Sequence, residues 1–521
     1  MVTDDGYYWA CSIRFGGFPM WWLRELFPAA IAAVLTVLSV PSGKRRSIIA
    51  FMVGLAVWVS ALVYKQITGE GWDDVARHYV VCSALGICNE VELAQLYRRA
   101  ADQGDASAQA NLGVFYATGG GGLPKDDWKA ATLYKSAADQ GFAGGQFDLG
   151  AFYEEGRGGL PKSDQEAARL YKLAAAQGLR EAQFNLANLY AEGRGGLPKD
   201  DQEAVKLYSL AADQGDCLAQ FALASLYQKG SGVLPQDDGE AAKLYQLAAD
   251  QDFALAQLNL ASFYREGRGG LSKDDQQATR LYLKAREKFA ALKDHFMAQL
   301  GVALVDSALG SLYQEGKGGL PKDDWEAVRR YKLAADGGIA SGQFNLAVLY
   351  AEGRAGMPKD EVEAARLYQL AADQGLVQGQ VNLAIFYLEG RGGLLRDEMA
   401  AARLFRLAAN QGFAFAQYCL GVLYTQGLGG LPQSDQEAAR WFKLAADQNF
   451  SYAQFALGWF YENGRGGLAS DEEAARLYEL AADQGFRFAQ YELAMFYVQG
   501  RGGLPRDESH ANHLLVEALS R

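Results

Sequence analysis

Residues 179–215 read LREAQFNLANLYAEGRGGLPKDDQEAVKLYSLAADQG, and the fold is decided by how this stretch divides. Ala182, Leu186, Ala187 and Tyr190 fall on one face at helical spacing, which predicts a first helix, A. That helix should stop at Gly193, where glycine supplies the left-handed backbone that ends a helix. In the loop GRGGLPK, Pro198 keeps the residue before it extended. A second helix, B, should open at Asp200 with Glu203 three residues on. In such a capping box the aspartate accepts from a free backbone N–H and the glutamate reaches back. Helix B then closes on Gln214–Gly215.

Outward from this stretch the same text recurs. Tyr116, Tyr153, Tyr190, Tyr227 and Tyr264 are 37 residues apart. Tyr313, Tyr350, Tyr387, Tyr424 and Tyr461 resume the step, and Tyr497 follows at 36. The helix B start recurs as Ser163/Glu166, Asp323/Glu326, Asp360/Glu363, Ser434/Glu437 and Ser470/Glu473, with Asn89/Glu92 opening a lone helix B. Where the closing glycine is missing, Asp252 and Asn449 replace it, and both residue types tolerate the left-handed region. Self-similarity of this period means stacked helix pairs, here eleven after an initial half unit.

Position by position, the repeats say what packs. The residue four before each anchor tyrosine is leucine, from Leu112 to Leu493. The third before it is glycine or alanine throughout, as at Gly113, Ala187 and Gly458, which predicts a close approach of helices there. Seven before it is glutamine, except for Asp306. Such a row either grips an extended peptide or satisfies polar groups between units.

These features resemble the Sel-one-like repeat family, relatives of the tetratricopeptide repeat. Its pattern A-x-A-Q-x-x-L-G-x-x-Y-x-x-G-x-G…D-x-x-x-A-x-x-L-Y-x-x-A-A-x-Q-G is matched by residues 105–141 and by each later unit. The resemblance implies an all-α, superhelical α/α solenoid over 89–521, with a concave surface suited to binding protein partners. It also implies a scaffold or adaptor role. The loop GRGGLPKDD is longer than the family's connector. The paired cysteines of its secreted branch are missing, Cys217 and Cys419 standing alone, so no activity of that branch carries over.

Composition agrees with a folded, non-nucleic-acid-binding chain. Of 521 residues half are apolar, so disorder is excluded. The net charge of −12 lies entirely beyond residue 75, because residues 1–75 hold six acidic and six basic side chains. A surface of that sign repels phosphate backbones. Five cysteines and four histidines argue against a metal cluster or disulfide scaffold, and no cofactor is expected.

The first 64 residues differ. Segment 47–64 is 18 residues without a charge, about 27 Å as a helix, enough to cross a hydrocarbon core. Segment 26–40 is shorter and is preceded by Phe18, Trp21 and Trp22; between the two lie Lys44, Arg45 and Arg46. Three readings stay open: a transmembrane hairpin over 26–64, a single anchor at 47–64, or a buried helix pair. Residues 1–25 then form an N-terminal segment and 65–88 a linker. Under either membrane reading the basic loop stays cytoplasmic, which puts the repeats on the other side, the periplasm of a bacterial inner membrane.

Candidate chemistry is sparse. The loop GKGGLPK at 316–322 lacks the closing residues and the preceding strand of a phosphate loop. Loop arginines, including Arg157, Arg194, Arg268, Arg354, Arg391, Arg465 and Arg501, form a row that binds an acidic partner or ties the loops to the stack. His510, His513 and Glu517 share a helical face, as a metal site or as the polar cap of the last helix. Cys82 and Cys88 are spaced for a short disulfide if they face an oxidising compartment. A 12-residue insertion near 284–300 is expected to prolong helix B, with Phe289, Leu292, Phe296 and Leu300 as its apolar stripe. It is read either as a partner-docking arm or as an architectural wedge. No nucleophile–base pair stands out, so the expected function is binding rather than catalysis. The alternatives are an envelope-associated hydrolase or an accessory subunit of an envelope assembly or secretion complex.

Overall fold

The computed structural model describes residues 90–231, 233–292 and 296–519. The segment 1–25, the apolar stretch 26–64, the linker 65–88, the Cys82–Cys88 pair and Asn89 lie outside the described residues. Among the described residues the fold is an all-helical solenoid of 23 α-helices with no strand. A lone B helix, Glu90–Asp102, is followed by eleven A–B pairs. The chain divides into two compact units, Met1–Lys273 and Asp274–Arg521. The described part of the first runs from Glu90–Asp102 to Ala254–Glu266, and the second from Asp275–Ala291 to Glu508–Leu519.

Local signals set the boundaries. The Asp200 carboxylate accepts from the backbone N–H of Gln202 and Glu203, both at 3.0 Å. Gly193 ends the A helix Arg180–Glu192 at φ 67°. Asp252 and Asn449 do adopt positive φ, 65° and 63°. The expected return bond of the capping glutamate is replaced. The N–H of Asp200 already donates to the carbonyl of Tyr190 at 2.9 Å. Glu203 turns instead to Lys206, and Glu166 to Arg169. The anchor tyrosine thus closes the loop through its backbone, locking each A helix to its own B helix.

The core is built by a second ring. Tyr171 and Tyr478 on B helices are fully buried, and each rests on the small residue of its own A helix. A Cβ at Gly150 would lie 2.8 Å from Tyr171 Cε1, and one at Gly458 2.9 Å from Tyr478 Cε1. The same rings meet the next repeat edge-on: Tyr134 on Phe152 at 5.0 Å and Tyr478 on Phe496 at 5.6 Å between centroids. Burying each such ring contributes about 2–3 kcal/mol. One residue per repeat therefore fastens both the hairpin and its neighbour.

The insertion differs from expectation. Helix B does not run through it: Asp275–Ala291 and Phe296–Glu315 have 17 and 20 residues, where most helices of the stack have 13. Both arms of this hairpin are lengthened. Phe289 is buried over Gly301, whose absent Cβ would fall 2.6 Å from the ring, whereas Phe296 is 73% exposed. Mutual burial of Phe289 and Gly301 favours two short extensions over one long helix. Phe296–Glu315 is the one described helix long and apolar enough to cross a membrane; half of that window is buried within its stack.

Candidate functional site

Most of the polar rows are occupied in holding repeats together. The glutamine seven residues before the anchor tyrosine is buried, so it is unavailable to a peptide. Gln183 donates to the carbonyl of Ala175 at 3.4 Å and accepts from Gln214 at 2.8 Å. Gln146 with Gln177, Gln343 with Gln374 and Gln417 with Gln448 repeat that 2.8 Å rung. Each rung ties the C-terminal ends of successive B helices. Peptide gripping by this row is thereby replaced by an internal ladder.

Loop arginines follow the structural reading as well. Arg157 bonds Asp127 at 2.9 Å and lies 4.4 Å from the Phe152 ring centroid. Arg268 and Arg501 repeat this with Asp238 and Asp471, both at 2.9 Å. Arg194, Arg391 and Arg465 pair with Asp164, Glu361 and Asp435, while Arg354 meets only Glu352. Each long-range partner opens the B helix of the preceding repeat, so arginine and helix dipole are satisfied together. Glu361, bonded by Arg391 and Lys359, is held down to about 2. The glycine beside each arginine completes the clamp: a Cβ at Gly158 would fall 2.5 Å from the carbonyl oxygen of Asp127. In the 316–322 loop Gly318 sits 2.5 Å, by the same measure, from the Asp275 carbonyl oxygen, so this loop cradles a helix rather than a phosphate.

The repeat with Asp306 breaks the ladder in a coordinated way that sequence reading missed. Asp306 is fully buried and bonds Arg286 at 2.8 Å and Arg330 at 2.6 Å; Arg330 also bonds Glu326 at 2.7 Å. Arg286 stands where Ala212 stands in its repeat, Arg330 where Leu207 does, and Gly337 where the partner glutamine does. Four exchanges together keep a buried charge compensated. Hydrogen bonds from Arg329 and Arg330 hold Glu326 down to about 2.

His510, His513 and Glu517 do not converge. The His510 ring packs on Tyr497 at 4.5 Å, His513 approaches Glu517 at 3.5 Å, and Glu517 accepts from Gln490 as the last rung of the ladder. No group of three metal-ligating side chains occurs among the described residues. Cys419 is a free thiol that burial pushes up to about 12. Cys217, read above as standing alone, is disulfide-bonded.

What remains for recognition is the exposed surface of the helices. On the A side, successive helices approach directly, as Ala106–Thr118 and Ala143–Glu155 do. Their surface positions vary from repeat to repeat: Val114, Ser225, Val422 and Trp459 are equivalent. Positions turned toward the preceding B helix vary as well, with Asn111, Asp148 and Asn185 equivalent. Asp148 has no cationic partner, and burial, then the charge of Glu181, raises its carboxyl to about 7. On the B side, Leu173, Leu210, Leu370 and Leu444 repeat as exposed leucines. A groove there, between Asp435–Ala446 and Asp471–Asp483, is floored by Gln454, Leu457 and Tyr461 with Lys443 and Arg476 lining it. Both sides leave side chains exposed that the stacking of the repeats does not use.

Comparison with known proteins fits this geometry. The Sel1 repeat model matches twelve consecutive stretches, from 94–105 and 106–142 through 254–288, then from 306–339 to 487–520. Among solved structures, a protective antigen present in uropathogenic Escherichia coli strains, displaying an SLR fold, is 30% identical. The match covers 81% of this chain and 85% of that one, with a TM-score of 0.53. A Sel1 repeat protein from Oxalobacter formigenes is 25% identical over 52% of this chain and 98% of its own, with a TM-score of 0.43. No curated protein matches.

Proposed function

The chain belongs to the Sel1 repeat family, and from that premise we propose that it is a membrane-anchored scaffold or adaptor. It binds protein partners along the A-helix face of its repeats. One observation carries this reading. Positions that pack are nearly uniform along the chain, whereas surface positions of the A helices change character from one repeat to the next, as from Val114 to Ser225 to Trp459 two residues before the anchor tyrosine. Packing requires no such variation, and a surface read by another protein does. Binding rather than catalysis also agrees with the loop arginines and their acidic partners, which are engaged in clamps between repeats.

The anchor is assigned to residues 26–64, with the basic stretch Lys44–Arg46 cytoplasmic and the repeats on the periplasmic side of a bacterial inner membrane. Support comes from the 18 charge-free residues of 47–64 and from the flanking basic loop. A reporter-enzyme fusion after residue 90 tests this placement: activity confined to a periplasm-dependent reporter agrees with it, and activity of a cytoplasm-dependent reporter sinks it. The binding role is tested by affinity capture of the detergent-solubilised full chain followed by mass spectrometry. A stoichiometric protein partner is expected. Recovery of the chain alone from cells that make it would count against a scaffold.

A further inference from the structure

The last three A helices carry a feature that packing does not demand. Ala414–Gln426, Ser451–Glu462 and Arg487–Gln499 each add a ring, Phe415, Tyr452 and Phe488, next to one at a position that Phe147, Phe184, Phe221 and Phe344 fill in other repeats, here Tyr418, Phe455 and Tyr491. The first ring position of each pair holds Ser107, Gly144 and Glu181 in early repeats, and Ser341 and Gln378 at the start of the second unit. Stacking of the repeats therefore tolerates a small or polar residue there. Rings on neighbouring helices touch one another, Tyr418 and Tyr452 at 5.9 Å and Phe455 and Phe488 at 6.1 Å, making one continuous strip. Tyr452 also lies 4.7 Å from Phe486, which fixes its ring over the junction between two repeats.

Three of its six rings face solvent, while Phe415, Tyr418 and Phe455 lean on the cores of their repeats. Tyr452 is 50% exposed, Phe488 68% and Tyr491 51%. Adjoining apolar surface of this kind is uncommon on a face with no partner. Its charge is equally informative. The three helices contain only Arg487, Glu462 and Glu492 as charged residues, and Glu462 is taken up by Arg501 at 3.0 Å and Tyr478 at 2.8 Å. Among the described residues the hydroxyls of Tyr418, Tyr452 and Tyr491 meet no hydrogen-bond partner. The face thus offers ring surfaces and O–H donors but almost no charge.

We propose that this strip is a docking site for an uncharged, proline-rich segment of a partner protein held as a polyproline II helix. Such a segment complements the face on each count. It carries no charge to desolvate, its rings and methylenes pack on aromatic faces, and its carbonyls outnumber its N–H groups, so they accept from the three hydroxyls. An acidic or basic segment would bury charge against three helices that carry just three charged side chains, and an amphipathic helix would leave the tyrosine hydroxyls facing apolar side chains. The inference rests on the binding role proposed above and names the partner chemistry of one part of that face.

The test titrates the full chain into a fluorescently labelled, uncharged proline-rich peptide of about ten residues, long enough for three helical turns. An equally apolar helix-forming peptide is run beside it. Saturable binding of the proline peptide is expected, weakened at least about tenfold by Tyr452→Ser with Phe488→Ser, as truncation of aromatic anchors does. Tyr→Phe at 418, 452 and 491 together keeps the rings and should weaken binding about threefold to tenfold through lost hydrogen bonds. Leu444→Ser on the B side should leave it unchanged. Circular dichroism of each variant establishes that the stack is intact. Absence of saturable binding, tighter binding of the helical peptide, or indifference to the Ser pair overturns the proposal. So does self-association of the chain that the Ser pair disperses, since the occupant is then a second copy. A partner captured by the chain but unaffected by the Ser pair overturns this inference and leaves the scaffold reading standing; failure of both capture and peptide binding removes both.

Discussion

Replacing Asp148 by asparagine should stabilise the first unit, and by an amount that depends on pH in a defined sense. Asp148 lies in the A helix Ala143–Glu155 beside Tyr134, without a cation to pair with, and its carboxyl is raised from 3.8 to about 7 by burial and by Glu181. Equivalent positions hold Asn111 and Asn185, and Asn382, the equivalent in a later repeat, hydrogen-bonds the Tyr368 hydroxyl. An asparagine at 148 can treat Tyr134 the same way. Between about pH 4 and pH 7 the folded chain keeps a proton that the unfolded chain has released, so wild-type stability falls as pH rises through that window. A shift of that size, if fully expressed, corresponds to about 4 kcal/mol above pH 7. Asp148 retains partial exposure, which lowers the expectation to about 1–2 kcal/mol. Amide hydrogen exchange over residues 127–155, corrected for intrinsic rates, reads the local opening free energy of wild type and variant at pH 4.5 and pH 8. The variant should be more protected at pH 8 and close to wild type at pH 4.5. An equal effect at both values, or reduced protection at pH 8, would refute the assignment of an unpaired carboxylate there.

Gly458→Ala should cost no more than about 1 kcal/mol, because Tyr478 must give way slightly as its equivalents do over Ala187 and Ala384, whereas Gly458→Val should cost about 1–3 kcal/mol by forcing Tyr478 aside. Urea midpoints of the two variants separate these outcomes. Asp306→Ala removes the buried partner shared by Arg286 and Arg330 and should cost about 3 kcal/mol or more, read as lost exchange protection in Phe296–Glu315. Acid should act on the same repeat. Glu326 is depressed from 4.5 to about 2 by its bonds to Arg329 and Arg330, so its contribution is present above pH 4.5 and disappears as pH falls toward 2. Glu326→Gln should remove that dependence, and an unchanged acid profile for this repeat would contradict the pairing.

Repetition made the architecture legible. A signal seen once, such as Asp200 before Glu203, is weak; the same signal at a fixed step fixes both helices and their loops. Sequence reading also recognised that Gly458 and its equivalents mark close approach, but not that a B-helix ring, Tyr478, fills the space. Both residues recur at the same period, so periodicity alone did not separate a ring that packs from a carbonyl that caps. Asp306 was visible as an exception, yet its compensation by Arg286, Arg330 and Gly337 is spread over two other helices and becomes apparent only in three dimensions. The insertion was misjudged for a related reason: continuous helical spacing does not reveal a break when residues on both sides remain apolar. The aromatic strip was hidden by the same uniformity, since rings at 415, 452 and 488 look like further core positions until their exposure is known.

The central claim is that the varying A-helix face, and not the conserved internal rows, is where this chain meets another protein. Site-specific photo-crosslinking in cells tests it directly, with the crosslinking residue placed in the full chain at Val422 on the A side or at Leu444 on the B side. A crosslinked protein partner from Val422 and none from Leu444 is the predicted result. Crosslinks from Leu444 alone, or from neither position in cells where the chain is folded, would contradict the account.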